Sequence, residues 1–258
     1  MERGRAAGRP PSPSLEGPCP RLRSPAAAAY TERVETGGTS LAVRPRAFVG
    51  VSGPEAADYL QRMLSNDVEG LAVGASCQAL LLTPKARVIA PLRVLRRGEN
   101  DFLLLTEPEL GETVRLHLVR SRFAARADIE PEEHESVLIL GDDAEPPEGA
   151  LGLENDDYGT PAFELLDPPV AEAPTLTAEE LERLRIRART PRFGHELDER
   201  VLPAEAGLVD RAVSLTKGCY PGQEPIARLH FRGHANRGLR ALRIDADAPP
   251  APDAESGA

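Results

Sequence analysis

The chain has 258 residues, a formal charge of −10 and three cysteines, which is length enough for one large domain or two α+β modules sharing a core. The charge opposes indiscriminate binding to a phosphate backbone, and Cys19, Cys77 and Cys219, odd in number and without CxxC spacing, support neither a disulfide framework nor a cysteine-rich metal knuckle. The longest apolar stretches, such as Val88 to Leu95, are broken by Arg or Pro and fall far short of the roughly 20 residues that cross a bilayer, and no secretory start is present, so a cytoplasmic protein without membrane contact is expected.

Residues 1–29 carry many Pro and Gly with no apolar period, and a disordered extension is expected there. Pro10, Pro11, Pro13, Pro18 and Pro20 would break the amphipathic helix of an organellar leader. A first α+β module is expected over 30–140. Three helix starts follow from capping boxes, a Ser or Thr followed three residues later by Glu: Ser52/Glu55, Thr106/Glu109 and Thr177/Glu180. The first opens an amphipathic helix with Ala56, Tyr59, Leu60, Met63 and Leu64 on one face, ending near Asn66 to Gly70. Strands are expected over Gln78 to Thr83, Val88 to Leu95 and Phe102 to Leu105, the last two forming a hairpin through Gly98. Pro91 cannot donate to a ladder, so its strand is an edge or carries a bulge. The second helix has Leu110, Val114 and Leu118 in one stripe, with His117 beside it as a core residue, and Val137 to Leu140 is a further strand.

A second module is expected over 141–244. In it Gly141 to Tyr158 and Asp167 to Pro174 read as connections, Ala162 to Leu166 as a strand. The third helix has Leu181, Leu184 and Ala188 on one side and Arg183, Arg185, Arg187 and Arg189 around the rest. Residues 245–258 read as a disordered tail. Helices among antiparallel strands make the class α+β, and no dinucleotide or P-loop fingerprint is present. Charge is uneven: 127–182 hold no Lys or Arg, whereas 211–243 hold seven cations against Glu224 alone. That basic segment is a place for an anionic ligand, a polyglutamate tail or an RNA phosphate, or else a solvated face.

The densest chemistry lies in Lys217-Gly218-Cys219-Tyr220-Pro221-Gly222-Gln223-Glu224. If Lys217 to Cys219 is extended, cation and thiol share a face, and the cation favours thiolate. Pro221-Gly222 suits a type II turn that would hold Gln223 and Glu224 beside the thiol. The competing reading is a small buried cysteine next to a turn. The chain has only two lysines, Lys85 and Lys217, and a compact, titratable ammonium retained here favours the functional reading. His230 and His234 are four apart, but Gly233 intervenes and no second cysteine is near, so no metal site is expected.

This segment reproduces the Lys-Gly-Cys-Tyr-x-Gly-Gln-Glu signature of YgfZ-type folate-binding proteins, and Ile226-Ala227-Arg228 continues it. The resemblance extends through Leu184 to Ala188, Pro191 to Leu197, Pro203 to Leu208, Gly53 to Ala56, Leu60-Gln61, Ser65 to Val68 and Leu81 to Lys85, covering about 30–244. It implies an aminomethyltransferase-like fold of two interlocked modules with mixed antiparallel sheets. The closing β-barrel module of that family would be largely missing, since the chain stops just after a strand expected over Leu239 to Ile244. It further implies tetrahydrofolate or a one-carbon derivative as cofactor, with Cys219 and Lys217 as candidate reactive thiol and activator. Tyr220, Gly222, Gln223, Glu224, Arg228, His195 and Asn66 become candidate folate contacts. Iron-sulfur client proteins are the implied partners, with tRNA modification supported indirectly and tRNA contact offered by 211–243. Two departures stand out. Aminomethyltransferases carry an acidic pair where this chain has Ala90-Pro91, and a pterin-holding glutamate where it has Arg187. The resemblance therefore favours an accessory protein of iron-sulfur assembly or repair over a glycine-cleavage aminomethyltransferase, with a non-enzymatic scaffold as the other alternative.

Overall fold

A computed structural model describes residues 38–148, 150–168 and 174–241. The expected extension 1–29, the tail 245–258, residues 242–244 of the strand expected at 239–244 and the middle of the 167–174 connection lie outside the described residues; 239–241 form no strand.

Nine strands are present in this part of the chain: β1 Ser40–Val43, β2 Ala47–Ser52, β3 Ser76–Leu82, β4 Val88–Gly98, β5 Asp101–Thr106, β6 Asp128–Glu132, β7 Ser136–Leu140, β8 Gly152–Asn155 and β9 Ala162–Leu166. The helices are α1 Ala56–Met63, α2 Gly111–Ser121, α3 Ala178–Ala188, α4 Val209–Ala212 and α5 Gln223–Arg232, with a 3-10 turn at Pro108–Leu110 before α2. All strand pairings are antiparallel, in a five-stranded sheet ordered β3-β4-β5-β2-β6 and a four-stranded sheet ordered β1-β7-β9-β8. The α+β class is as the sequence indicates, and both sheets are open among the described residues. The chain starts in the second sheet, crosses to the first and returns, so β1 pairs with β7, and the sheets interlock.

The run of apolar residues in β5 follows from its place between two layers. Phe102 and Leu104 face the core beneath α1 and α2, while Leu103 and Leu105 face a second core formed with Phe48 and Leu95 of the same sheet and Leu153 of the other. A strand covered on both faces has no polar side to show. The outer side of β3 and β4 differs: Leu80, Leu82 and Val88 pack against Leu197, Leu208, Ala212, Tyr220 and Ile226, so the C-terminal segment is laid over this end of the first sheet. Ser65 pins the junction, its hydroxyl donating to Ala212 O at 2.6 Å and accepting Leu80 N at 2.8 Å. Tyr59 does the same for α1 and α2, donating to Leu118 O at 2.6 Å.

Of the three capping boxes only Thr177/Glu180 forms, with both reciprocal bonds present. Thr106 instead ends β5 opposite Ala47, and its hydroxyl donates to Pro91 O at 2.9 Å. Ser52 ends β2, and the carboxylate of Glu55 accepts Arg126 N at 2.6 Å from across the chain. In both cases ladder pairing outcompetes the local cap. Strand β4 lies inside the sheet and is no edge. It tolerates Pro91 because its pairing to β5 begins only at Arg93, and its register with β3 slips by one residue between Ala90 and Val88. The expected connection Gly141 to Tyr158 contains β8, a strand too short to show a period. Arg185 is not on a solvated side of α3 but buried, bound to Glu182 and Glu196. His117 is half-buried on α2, where burial lowers its pKa. No helix among the described residues is long and apolar enough to cross a membrane.

Candidate functional site

The signature loop is held against the β3–β4 turn at a point where only glycine fits. Gly222 has φ +84°, and a Cβ there would lie 2.7 Å from Thr83 O and 2.9 Å from Ala86 Cα. Gly222 is also the N-cap of α5, so Gln223 and Glu224 enter a helical turn and are not folded back beside the thiol. Glu224 pairs with Arg228 at 2.7 Å on the solvent face. His195 is exposed in the turn between Phe193 and Leu197, and His230 and His234 are exposed as well.

Lys217 is turned inward. Its ammonium donates to the carbonyls of Gln61, Leu64 at 2.6 Å and Asn66 at 2.9 Å, which uses all three of its donors on the last turn of α1 and the residues that follow. The Tyr220 ring centroid lies 5.1 Å from the same nitrogen, a cation–π distance. Burial pushes Lys217 down to about 8, against the pull of Asp67, so it remains mostly ammonium at neutral pH. Asn66 completes the nest: its side chain donates to Gln78 O at 2.7 Å. Tyr220 is buried, its hydroxyl has no hydrogen-bond partner among the described residues, and burial pushes it up to about 12. The geometry thus brings together Lys217, Asn66 and Tyr220, with Gly222 as the hinge of the loop.

Cys219 is exposed. The activating cation expected for it from sequence is spent on backbone carbonyls. Burial pushes the other described thiol, Cys77 on β3, up to about 12 against the pull of Arg93.

A second constellation escaped the sequence analysis. Where both sheets, the end of α3 and α4 meet, a narrow cleft with about 70 Å³ of open space is lined by arginines 44, 46, 93, 185, 192 and 211 together with Glu107, Asp157, Gln78 and Pro91. Behind it Glu164 is fully buried and fully satisfied: Arg46 donates through Nε at 2.8 Å and Nη2 at 3.0 Å, Ser136 Oγ at 2.8 Å and Asn155 Nδ2 at 3.1 Å. Burial opposes its ionisation, but Arg46 prevails and holds it at about 2. Glu107 is likewise held below the usual carboxylate range, against burial, by Arg44, Arg46 and Arg192. The lining keeps unmet capacity: among the described residues Nε of Arg44 and Arg211 are buried without a hydrogen-bond acceptor, while Nε of Arg192 ion-pairs with Glu107 Oε2 at 3.3 Å outside hydrogen-bond geometry. Pro91 forms part of the wall and Ala90 is in the core behind it, so the wall has no carboxylate at these two positions. Arg187 is exposed, whereas Arg185, two residues earlier on α3, lines the cleft. These arginines are scattered along the chain and form no motif. The signals available were single charges inside apolar strand runs, Arg93 in β4 and Glu164 in β9, which a strand buried on both faces admits only when paired.

The architecture is that of the aminomethyltransferase T fold: the chain superposes on the glycine cleavage system aminomethyltransferase T of Bartonella henselae with a TM-score of 0.62 at 20% identity, over 76% of this chain and 64% of that one. No protein-family model matches the sequence. Among curated proteins it is 29% identical over 245 residues to the tRNA-modifying protein YgfZ of Edwardsiella ictaluri, covering 78% of this chain and 70% of that protein. It is 25% identical to the aminomethyltransferase of Moorella thermoacetica, covering 78% and 66%. It is 28% identical to the iron-sulfur cluster assembly factor IBA57 homolog of Pyricularia oryzae, covering 74% and 54%. The chain is thus similar to YgfZ-type proteins and to aminomethyltransferases, at 25–29% identity.

Proposed function

We propose that this chain binds tetrahydrofolate or a one-carbon derivative of it in the arginine-lined cleft and serves as an accessory protein of iron-sulfur cluster assembly or repair in a reducing, cytoplasmic compartment. On this reading it supports tRNA modification through the cluster enzymes it maintains. The names of the relatives, a tRNA-modifying protein for YgfZ and a cluster assembly factor for the IBA57 homolog, support the cellular half of the proposal.

The observation that carries the ligand half is the pair of buried guanidinium N–H groups, Nε of Arg44 and of Arg211, that meet no acceptor among the described residues in one cleft. A buried donor left unmet costs about 1–3 kcal/mol, which a ligand rich in carbonyl and carboxylate oxygens would recover. Folate has such oxygens, and the carboxylates of Glu107 and Asp157 in the same lining are acceptors for the N–H edge of its pterin ring. The open space is small, so Arg192 and Arg211, both partly exposed, must swing aside for a ring to enter. When bound, the folate supplies a carrier for a one-carbon unit. Cys219 is the accessible thiol of the signature loop that would meet a client. Lys217, Asn66, Tyr220 and Gly222 fix the loop's course, and Gln223, Glu224, Arg228 and His195 remain proposed contacts for a ligand or client at its rim.

Isothermal titration of tetrahydrofolate and its methylene and formyl derivatives tests the proposal. Saturable binding of at least one, weakened by replacing Arg192, is expected; no heat from any of the three rejects it.

A further inference from the structure

The mouth of the cleft holds an unusual pairing. Arg211 on α4 donates through Nη2 to Asp156 Oδ1 at 2.8 Å and to Asp157 Oδ1 at 2.7 Å, and Gln78 Nε2 of β3 donates to the same two oxygens at 3.0 and 3.3 Å. The two aspartates differ in how firmly they are held. Asp157 has a 19% exposed side chain with Arg93 near its other oxygen at 3.8 Å. Asp156 is 73% exposed, and among the described residues its carboxylate meets Arg211 and Gln78 alone.

Both aspartates crowd onto one nitrogen of Arg211. Nη1 reaches Thr190 Oγ1 at 3.3 Å, and Nε, on the edge it shares with Nη2, is buried with no acceptor. A carboxylate binds a guanidinium best through two parallel N–H bonds, which neither aspartate makes here. An exposed ion pair such as that of Asp156 contributes a factor of about five or less, so it yields readily to a better-placed anion.

We infer that Arg211 and Gln78 form a carboxylate subsite that the chain's own Asp156 occupies, and that a ligand binds there by exchanging its carboxylate for that of Asp156. Given the folate reading, on which this inference rests, the group is the glutamate end of the molecule. The subsite selects ligands with a carboxylate-bearing tail over bare pterins, and Asp156 sets the threshold that the tail must exceed.

Three compounds separate the inference from the reading beneath it: tetrahydrofolate, 6-methyltetrahydropterin, which has the ring without the tail, and 4-aminobenzoyl-glutamate, which has the tail without the ring. Calorimetry on the full chain should show Asp156→Ala tightening tetrahydrofolate and the tail fragment about threefold to fivefold while leaving the pterin unchanged. Arg211→Met should weaken the same two about tenfold or more. Tetrahydrofolate binding that is indifferent to both substitutions, or a pterin affinity that shifts in parallel, overturns the subsite and leaves the folate reading standing. A tail fragment that responds as expected while neither ring compound binds overturns the folate reading and leaves the subsite standing. Asp156 is exposed, so Asp156→Ala folds even should Arg211→Met not.

Discussion

The ammonium of Lys217 donates to the carbonyl of Leu64 at 2.6 Å across an interval of 153 residues, and so the signature loop is fastened to the end of helix α1 by its lysine. Two further carbonyls share the same nitrogen. Bonds to a charged donor contribute about 1.5–3 kcal/mol each, but they share one desolvated group, and Lys217→Met should cost about 2–4 kcal/mol in urea unfolding. Cys219→Ser, at an exposed position, should change stability by less than about 0.5 kcal/mol. Equal effects of the two substitutions would remove Lys217 from its structural role.

The same geometry separates the thiols. Cys219 is open to solvent, whereas Cys77 is half-buried and pushed up to about 12, which leaves it almost no thiolate near neutrality. Peptide-resolved alkylation at pH 7.5 should modify Cys219 at least about 100-fold faster than Cys77. Because Lys217 is spent on carbonyls, Lys217→Met should leave the Cys219 rate within about twofold wherever the variant stays folded. A tenfold fall would restore the lysine as activator.

Acid sensitivity follows from two carboxylates. Glu164, against its burial, is held at about 2 by Arg46, and Glu132 is held at about 2 by its bonds to Arg97, both below the ordinary 4.5. A depressed carboxylate adds stability that is complete above its unfolded value and lost as pH falls through its folded one, so the loss should run from about pH 4.5 to 2. His134 works in the opposite sense. Burial lowers its pKa, but Asp167 and Glu132, on its two ring nitrogens at 2.6 and 2.8 Å, raise it above 6.5 overall. Its contribution is full below 6.5 and fades as pH rises through the raised value. Urea midpoints across pH 3 to 9 should therefore fall at both ends. Glu164→Gln should cost about 3–5 kcal/mol at pH 7, since it removes the carboxylate that Arg46 hydrogen-bonds and leaves this buried cation only Glu107 at 3.8 Å, and should flatten the acid limb. An unchanged acid limb would assign the loss to other groups.

How far the sequence discloses all this depends on whether the signal is local. Strand β5 is readable because Phe102 to Leu105 announce a strand buried on both sides, and Gly222 because a Pro-Gly pair marks a turn. The Thr177/Glu180 box forms because nothing else competes for its groups. Those at Ser52 and Thr106 fail because both residues are claimed by a ladder with strands some 50 residues away. The cleft is harder still. Its arginines come from the β1–β2 link, β4, α3, the loop that follows it and α4, and no window of sequence shows that Arg44 and Arg192 meet on Glu107. Lys217 is a middle case: the residue stands out by its rarity, while the direction its side chain takes is set by the carbonyls that α1 leaves without partners.

The proposed accessory role is tested most sharply at the positions where aminomethyltransferases carry their acids. In aminomethyltransferases, by the resemblance, an acidic pair serves the reacting carbon; here those positions hold Ala90, buried in the core, and Pro91, on the cleft wall. A positioned carboxylate contributes about 10²- to 10⁴-fold through general acid-base help. The carboxylates that do line the cleft, Glu107 and Asp157, are tied to Arg44, Arg192 and Arg211, and Glu107 is held below the usual carboxylate range, which makes it a weak base. The chain should therefore bind tetrahydrofolate yet release no methylenetetrahydrofolate when offered an aminomethylated lipoyl carrier protein. Pro91→Asp returns one carboxylate to the wall without entering the core, whereas Ala90→Asp would bury an unpaired charge and cost several kcal/mol, about enough to unfold a marginal domain. Pro91→Asp should fold and still turn over at least about 100-fold below an authentic aminomethyltransferase, because the remaining acid and its geometry are absent. Efficient aminomethyl transfer by the unsubstituted chain would place it with the enzymes and end the accessory-protein assignment.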